Sequence, residues 1–102
     1  MRIDEPRPGV LSLSGELTFK NARALHGALT AALSQHASLE IDLLNVTKID
    51  TAGTQLIITV ATEARAAGKT LRWLGFSLAV AEVIELLDLT ELLGRPGAVV
   101  WS

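Results

Sequence analysis

The strand-like runs of this chain are separated by helical stretches far too long to be hairpin turns, and that spacing governs what it can fold into. Val10-Leu11-Ser12-Leu13, Ser38 to Leu44 and Thr70 to Leu74 carry the apolar and β-branched content of strands. Between them, Ala22, Leu25, Ala28, Leu29, Ala32 and Leu33 recur at helical spacing. So do Ala52, Leu56, Ile57, Val60, Ala61 and Ala64. A strand that leaves through a helix and returns as a strand makes a crossover, so the sheet is mixed or largely parallel with helices packed on it. The expected class is α/β.

In chain order, residues 1–8 are polar with two prolines and are read as either a short edge strand or a loose arm. The first full strand is expected to end at Gly15. Thr18 is the expected N-cap of a helix reaching Gln35, because its hydroxyl can accept from first-turn N–H groups. The strand from Ser38 to Leu44 leads through Lys48-Ile49 to Asp50-Thr51-Ala52-Gly53, where a second helix starts, with Gly68 as its stop. Ser77 caps a third helix from Leu78 to Leu87 carrying Val80, Val83, Ile84 and Leu87. Thr90 to Gly94 reads as one more short turn, and Ala98 to Trp101 as a last strand. Trp73 and Trp101 fall in strands, where half-buried or core positions are the ordinary expectation, while Phe19 and Phe76 sit at strand–helix junctions.

Composition removes several function classes. A chain of 102 residues with 49% hydrophobic and 20% charged residues supports one packed domain, taken here as 1–102. The net charge of −2, with Lys and Arg scattered, supplies no field for nucleic-acid phosphates. No cysteine is present, so disulfides, thiol nucleophiles and cysteine-built zinc sites are excluded. The N-terminus lacks the apolar core of a signal peptide. The uncharged stretch from Thr51 to Thr62 is shorter than the roughly 20 residues of a membrane helix. The expectation is a cytoplasmic protein without membrane insertion.

Chemistry is concentrated at one place. His26 and His36 lack a partner at metal-ligand spacing, so no metal or cofactor is expected, and neither a glycine-rich phosphate loop nor a nucleophile elbow occurs. The stretch Asp50 to Gly53 joins a strand end to a helix start. Its ordinary role is a cap, with Asp50 or Thr51 accepting from the next turn's N–H groups. A helix N-terminus also carries about half a positive charge and free donors, so a hydroxyl standing there is placed to carry a phosphoryl group.

Three motifs in order resemble one family. Leu13-Ser14-Gly15-Glu16-Leu17 precedes the first helix, Ile41-Asp42-Leu43 to Ile49-Asp50-Thr51-Ala52-Gly53 precedes the second, and Gly75 to Leu89 surrounds the third. This order is similar to the STAS domain of bacterial anti-sigma factor antagonists, sulfate-transporter tails and the small subunit of Mla-type phospholipid ABC transporters. The resemblance spans about Val10 to Trp101. It implies a single non-enzymatic domain, with a mixed sheet of about four to five strands and about three to four helices. It also implies a partner-docking surface at the second helix start: Glu16, Thr18, Asp50, Thr51, Ala52, Gly53, Thr54 and Gln55. In the antagonists the hydroxyl residue after the motif aspartate is phosphorylated by a kinase that is also the anti-sigma factor, and here that residue is Thr51. In the transporter subunit the equivalent threonine contacts the ATPase. Three positions depart from the antagonist pattern: Thr18 replaces a frequent acid, Thr54 replaces a usual leucine, and Thr51-Ala52 replaces a serine followed by serine or threonine.

Overall fold

The computed structural model describes residues 1–89, which form four strands and three helices in the order β1 (Arg2–Arg7), β2 (Val10–Leu17), α1 (Phe19–Gln35), β3 (Ser38–Ile49), α2 (Thr51–Ala66), β4 (Thr70–Phe76) and α3 (Leu78–Leu86). The expected turn at Thr90 to Gly94 and strand at Ala98 to Trp101 lie outside the described residues. The sheet order is β1-β2-β3-β4. β1 pairs antiparallel to β2, and β2, β3 and β4 are mutually parallel. The two crossovers required by the spacing are therefore β2-α1-β3 and β3-α2-β4. Residues 1–8 resolve in favour of the edge strand, β1.

Alternation along the strands divides the sheet into two faces. Leu11, Leu13 and Leu17 of β2, Leu39, Ile41 and Leu43 of β3, and Trp73 of β4 enter one core. Leu25, Leu29 and Leu33 of α1, seven α2 residues and Val80 and Ile84 of α3 complete the packing. The intervening residues Ser12, Ser14, Glu40 and Arg72 occupy the opposite face, where Arg72 Nη1 lies 3.4 Å from Glu40 Oε2. α1 and α2 pack on each other, with His26 Nε2 3.0 Å from Glu63 Oε1 across the seam. His36 Nε2 lies 3.7 Å from Glu5 Oε2 near the β1–β2 turn. Trp73 and Phe76 are both buried, while Phe19 is 69% exposed.

Three strand ends depart from the sequence expectation. β2 does not stop at Gly15. Gly15 adopts φ +105° within the strand, and pairing with β3 continues through Leu17↔Ile49. β3 runs on past Leu44 to Ile49 because the register against β2 slips by one residue between Ser12↔Asp42 and Ser14↔Asn45. An extra residue in a strand exchanges the faces of everything after it. Hence the buried positions are odd through Leu43, Leu44 and Asn45 are both exposed, and Val46 is buried at even parity. The hydrophobic alternation is broken at Leu44 although the strand is not. β4 likewise extends to Phe76 rather than Leu74. The expected stop of α2 and cap of α3 hold: Gly68, just past the end of α2, has φ +70°, and Ser77 Oγ accepts from the Val80 N–H at 3.2 Å.

Candidate functional site

β2 and β3 are parallel neighbours and end in register at Leu17 and Ile49, so the helices that follow them begin side by side. Asp50 stands at that junction. Its Oδ1 accepts from the Gly53 N–H at 2.8 Å, capping α2. Its Oδ2 accepts from the Phe19 N–H at 3.0 Å, which belongs to the first turn of α1. The Asp50 N–H in turn donates to the Leu17 carbonyl at 3.3 Å. One carboxylate therefore caps two helices and ties their starts together. The Gly53 N–H and then the Phe19 N–H hold the Asp50 carboxyl below its ordinary range, against a smaller opposing contribution from desolvation.

This arrangement corrects the expectation for Thr18. Thr18 occupies the N-cap position of α1, but its side chain makes no capping bond. It is buried at 6% exposure, and its carbonyl takes the Asn21 and Ala22 N–H groups, both at 2.9 Å. An N-cap side chain accepts from the second or third N–H of its helix; the Asp50 carboxylate takes the first, that of Phe19, so α1 is held at its start from the end of β3 and not by the Thr18 hydroxyl.

The remaining candidates divide by exposure. Gly53 is buried against β2, and a Cβ there would overlap the Leu17 carbonyl oxygen, with the Leu17 carbonyl carbon at 2.9 Å. Thr54 is 7% exposed, and its Oγ1 donates back to the Asp50 carbonyl at 2.9 Å. A hydroxyl satisfied within its own helix turn can be buried without penalty. Thr18, Gly53 and Thr54 thus lie beneath the surface. Glu16 is exposed at the end of β2, and its carbonyl accepts from Asn21 Nδ2 at 2.7 Å. Ala52 is half-buried. Thr51 and Gln55 are exposed, and the Thr51 hydroxyl has no hydrogen-bond partner among the described residues.

Beside Thr51 runs a groove of about 380 Å³ between α2 and α3, lined by Ile49, Asp50, Thr51, Thr54, Gln55, Ile58, Val83, Leu86 and Leu87. Four expected site residues meet here: Asp50, Thr51, Thr54 and Gln55. Glu16, Thr18, Ala52 and Gly53 do not line it. The apolar wall was not anticipated. Val83 and Leu87 were expected in the core stripe of α3, yet Val83 is half-buried and Leu87 is 53% exposed. The available signal was composition: α3 is apolar on more of its circumference than one core-facing stripe requires. The groove can receive an apolar segment, and among the described residues its lining has no cation. Among the described residues, no cluster of three or more metal-ligating side chains gathers, and no helix is long and apolar enough to cross a membrane.

The family model described as "Mlab, STAS domain" matches residues 3–94. Among solved structures, an anti-sigma factor antagonist from Mycobacterium paratuberculosis is 22% identical, with a TM-score of 0.78 over 96% of this chain and 85% of that one. The Bacillus cell fate determinant SpoIIAA in its phosphorylated form is 17% identical, with a TM-score of 0.67 over 89% and 86%. A chain of the Pseudomonas aeruginosa complex of diguanylate cyclase SiaD with its activator SiaC is 18% identical, with a TM-score of 0.64 over 96% and 88%. No curated protein matches the chain in sequence. At these identities the structural likenesses establish the fold.

Proposed function

The chain belongs to the STAS domain family, and on that premise we propose that it is a non-enzymatic regulatory protein of the cytoplasm. It docks a protein partner through the α2–α3 groove and is switched by phosphorylation of Thr51. The observation that carries this reading is the position of Thr51: an exposed, unbonded hydroxyl on the first residue of α2, at the mouth of an apolar groove. A phosphoryl group there adds a charge of about −1.5 to −2. It arrives beside the Asp50 carboxylate, whose oxygens already hold the Gly53 and Phe19 N–H groups. Among the described residues no groove residue is a cation, so an apolar partner segment covering the site would bury that charge poorly paired, at about 2–5 kcal/mol. Unmodified Thr51 is the binding-competent state, and the partner is a serine/threonine kinase-type anti-sigma factor. That one fold neighbour, SpoIIAA, was solved in a phosphorylated form supports the reading.

A second reading has its own support in the family description, "Mlab": an accessory subunit of an Mla-type phospholipid ABC transporter. In that role Thr51 packs unmodified against the ATPase. Incubation with a candidate serine/threonine kinase-type anti-sigma factor and ATP, followed by mass spectrometry, separates the two. Phosphate on Thr51 and loss of partner binding in Thr51→Glu are expected for the switch. A complex with an ATPase that survives Thr51→Glu, with no phosphate on the chain, would replace it with the transporter role.

A further inference from the structure

Building on the docking reading above, we propose that the partner segment seated against α3 is amphipathic, with apolar anchors flanked by lysine and arginine. The surface is set by two adjoining hollows that share a ridge. On the Thr51 side is the apolar groove. On the other is a hollow of about 550 Å³ lined by Glu82, Val83, Glu85 and Leu86. Val83 and Leu86 line both.

Along α3, Leu78, Glu82, Glu85 and Leu86 recur at the spacing of a single outer face. Leu78 is 78% exposed and Leu86 85%. From Leu78 to Leu89 the chain has three acids and no Lys or Arg. Glu82, Glu85 and Asp88 form no ion pair among the described residues. A segment that buries Leu86 and Val83 must therefore also cover two carboxylates that the described residues leave unneutralised.

An acidic or neutral partner would desolvate those carboxylates without compensation, whereas a basic flank supplies their counter-charge. The same argument disfavours a second copy of this chain. A two-fold interface through this face would set one acidic α3 against another. Glu82 and Glu85 do not line the groove at Thr51, so the basic flank is engaged away from it. A phosphate on Thr51 still lands among Ile49, Ile58, Leu86 and Leu87.

The test uses the whole, isotopically labelled chain and two synthetic helical peptides with one identical leucine stripe, flanked by lysine and arginine in the first and by glutamate in the second. The basic peptide is expected to bind at least about tenfold more tightly and to shift amide resonances of residues 49–58 and 83–87. It should weaken as salt rises from roughly 0.05 M to roughly 0.5 M. The exposed double change Glu82→Lys with Glu85→Lys should reverse the preference.

Equal binding of both peptides, a preference unmoved by the double change, shifts elsewhere on the fold, or self-association through residues 83–87 would each overturn the proposal. Thr51→Glu separates it from the switch. If the charge preference holds while Thr51→Glu leaves binding unchanged, the switch fails and this inference stands. If binding is lost in Thr51→Glu but ignores flank charge, the reverse follows.

Discussion

Two glycine-to-alanine changes on neighbouring helices should move stability in opposite directions. In a helix, alanine is favoured over glycine by up to about 1 kcal/mol, because glycine loses more backbone freedom on folding. Gly27 lies on the exposed side of α1, where an added Cβ meets nothing within 4 Å. Gly27→Ala should therefore gain about 0.4–1 kcal/mol. Gly53 sits in the first turn of α2, where the added Cβ overlaps the Leu17 carbonyl oxygen and comes within 3.0 Å of Leu17 Cγ. Overpacking of this kind costs about 1–3 kcal/mol, and the upper end applies because a strand carbonyl cannot rotate aside as a side chain can. At about 4–8 °C per kcal/mol for a domain of this size, Gly53→Ala should lower Tm by on the order of 10–20 °C, while Gly27→Ala raises it by several degrees. Thermal unfolding followed by circular dichroism, with urea titrations for the free energies, reads both. A Gly53→Ala protein as stable as the parent would refute the close approach of α2 to β2, and with it the geometry that places Asp50 between two helices.

Asp50→Asn should destabilise the protein at neutral pH, since the amide keeps one acceptor oxygen where two N–H donors require two. Because the folded state holds the Asp50 carboxyl below its ordinary value of about 3.9, its contribution is fully present above that value and disappears as pH falls through the folded one. Urea midpoints of parent and variant should thus differ at pH 7 and converge in the acid range. The alternation of β3 and its slip make Leu43 and Val46 core positions and leave Leu44 outside: Leu43→Ala should cost about 2–5 kcal/mol, Val46→Ala should also destabilise, and Leu44→Ser should stay within about 0.5 kcal/mol. A Val46→Ala change as mild as Leu44→Ser in urea titrations would contradict the exchange of faces. Thr51→Ala and Leu86→Ser, both exposed, should leave the unfolding midpoint within about 0.5 kcal/mol of the parent, so that any loss of partner binding is read as an interface effect.

The alternation of strand and helix periodicities, the Ser77 cap and the Gly68 stop were legible because each depends on residues a few positions apart. Periodicity depends on i, i+3 and i+4 neighbours, and capping on a side chain and the N–H three residues on. The same locality made Asp50-Thr51 stand out as a helix start. Other features needed pairings between distant parts of the chain. The slip that buries Val46 at even parity after the buried Leu43 is a relation between β2 and β3, invisible in β3 alone. Thr18 was a reasonable cap on its own helix. Its hydroxyl makes no capping bond, and the side-chain bond to the first turn of α1 comes instead from a carboxylate 31 residues beyond Phe19, brought there by parallel pairing. The groove beside Thr51 exists because α3 returns alongside α2 with more apolar surface than the core absorbs. The sequence by itself determined the βαβ plan and singled out one hydroxyl. The tertiary structure alone decided that a single carboxylate holds two helix starts together and that the hydroxyl opens onto an apolar cleft, because both are contacts between elements whose residues are neighbours only in space.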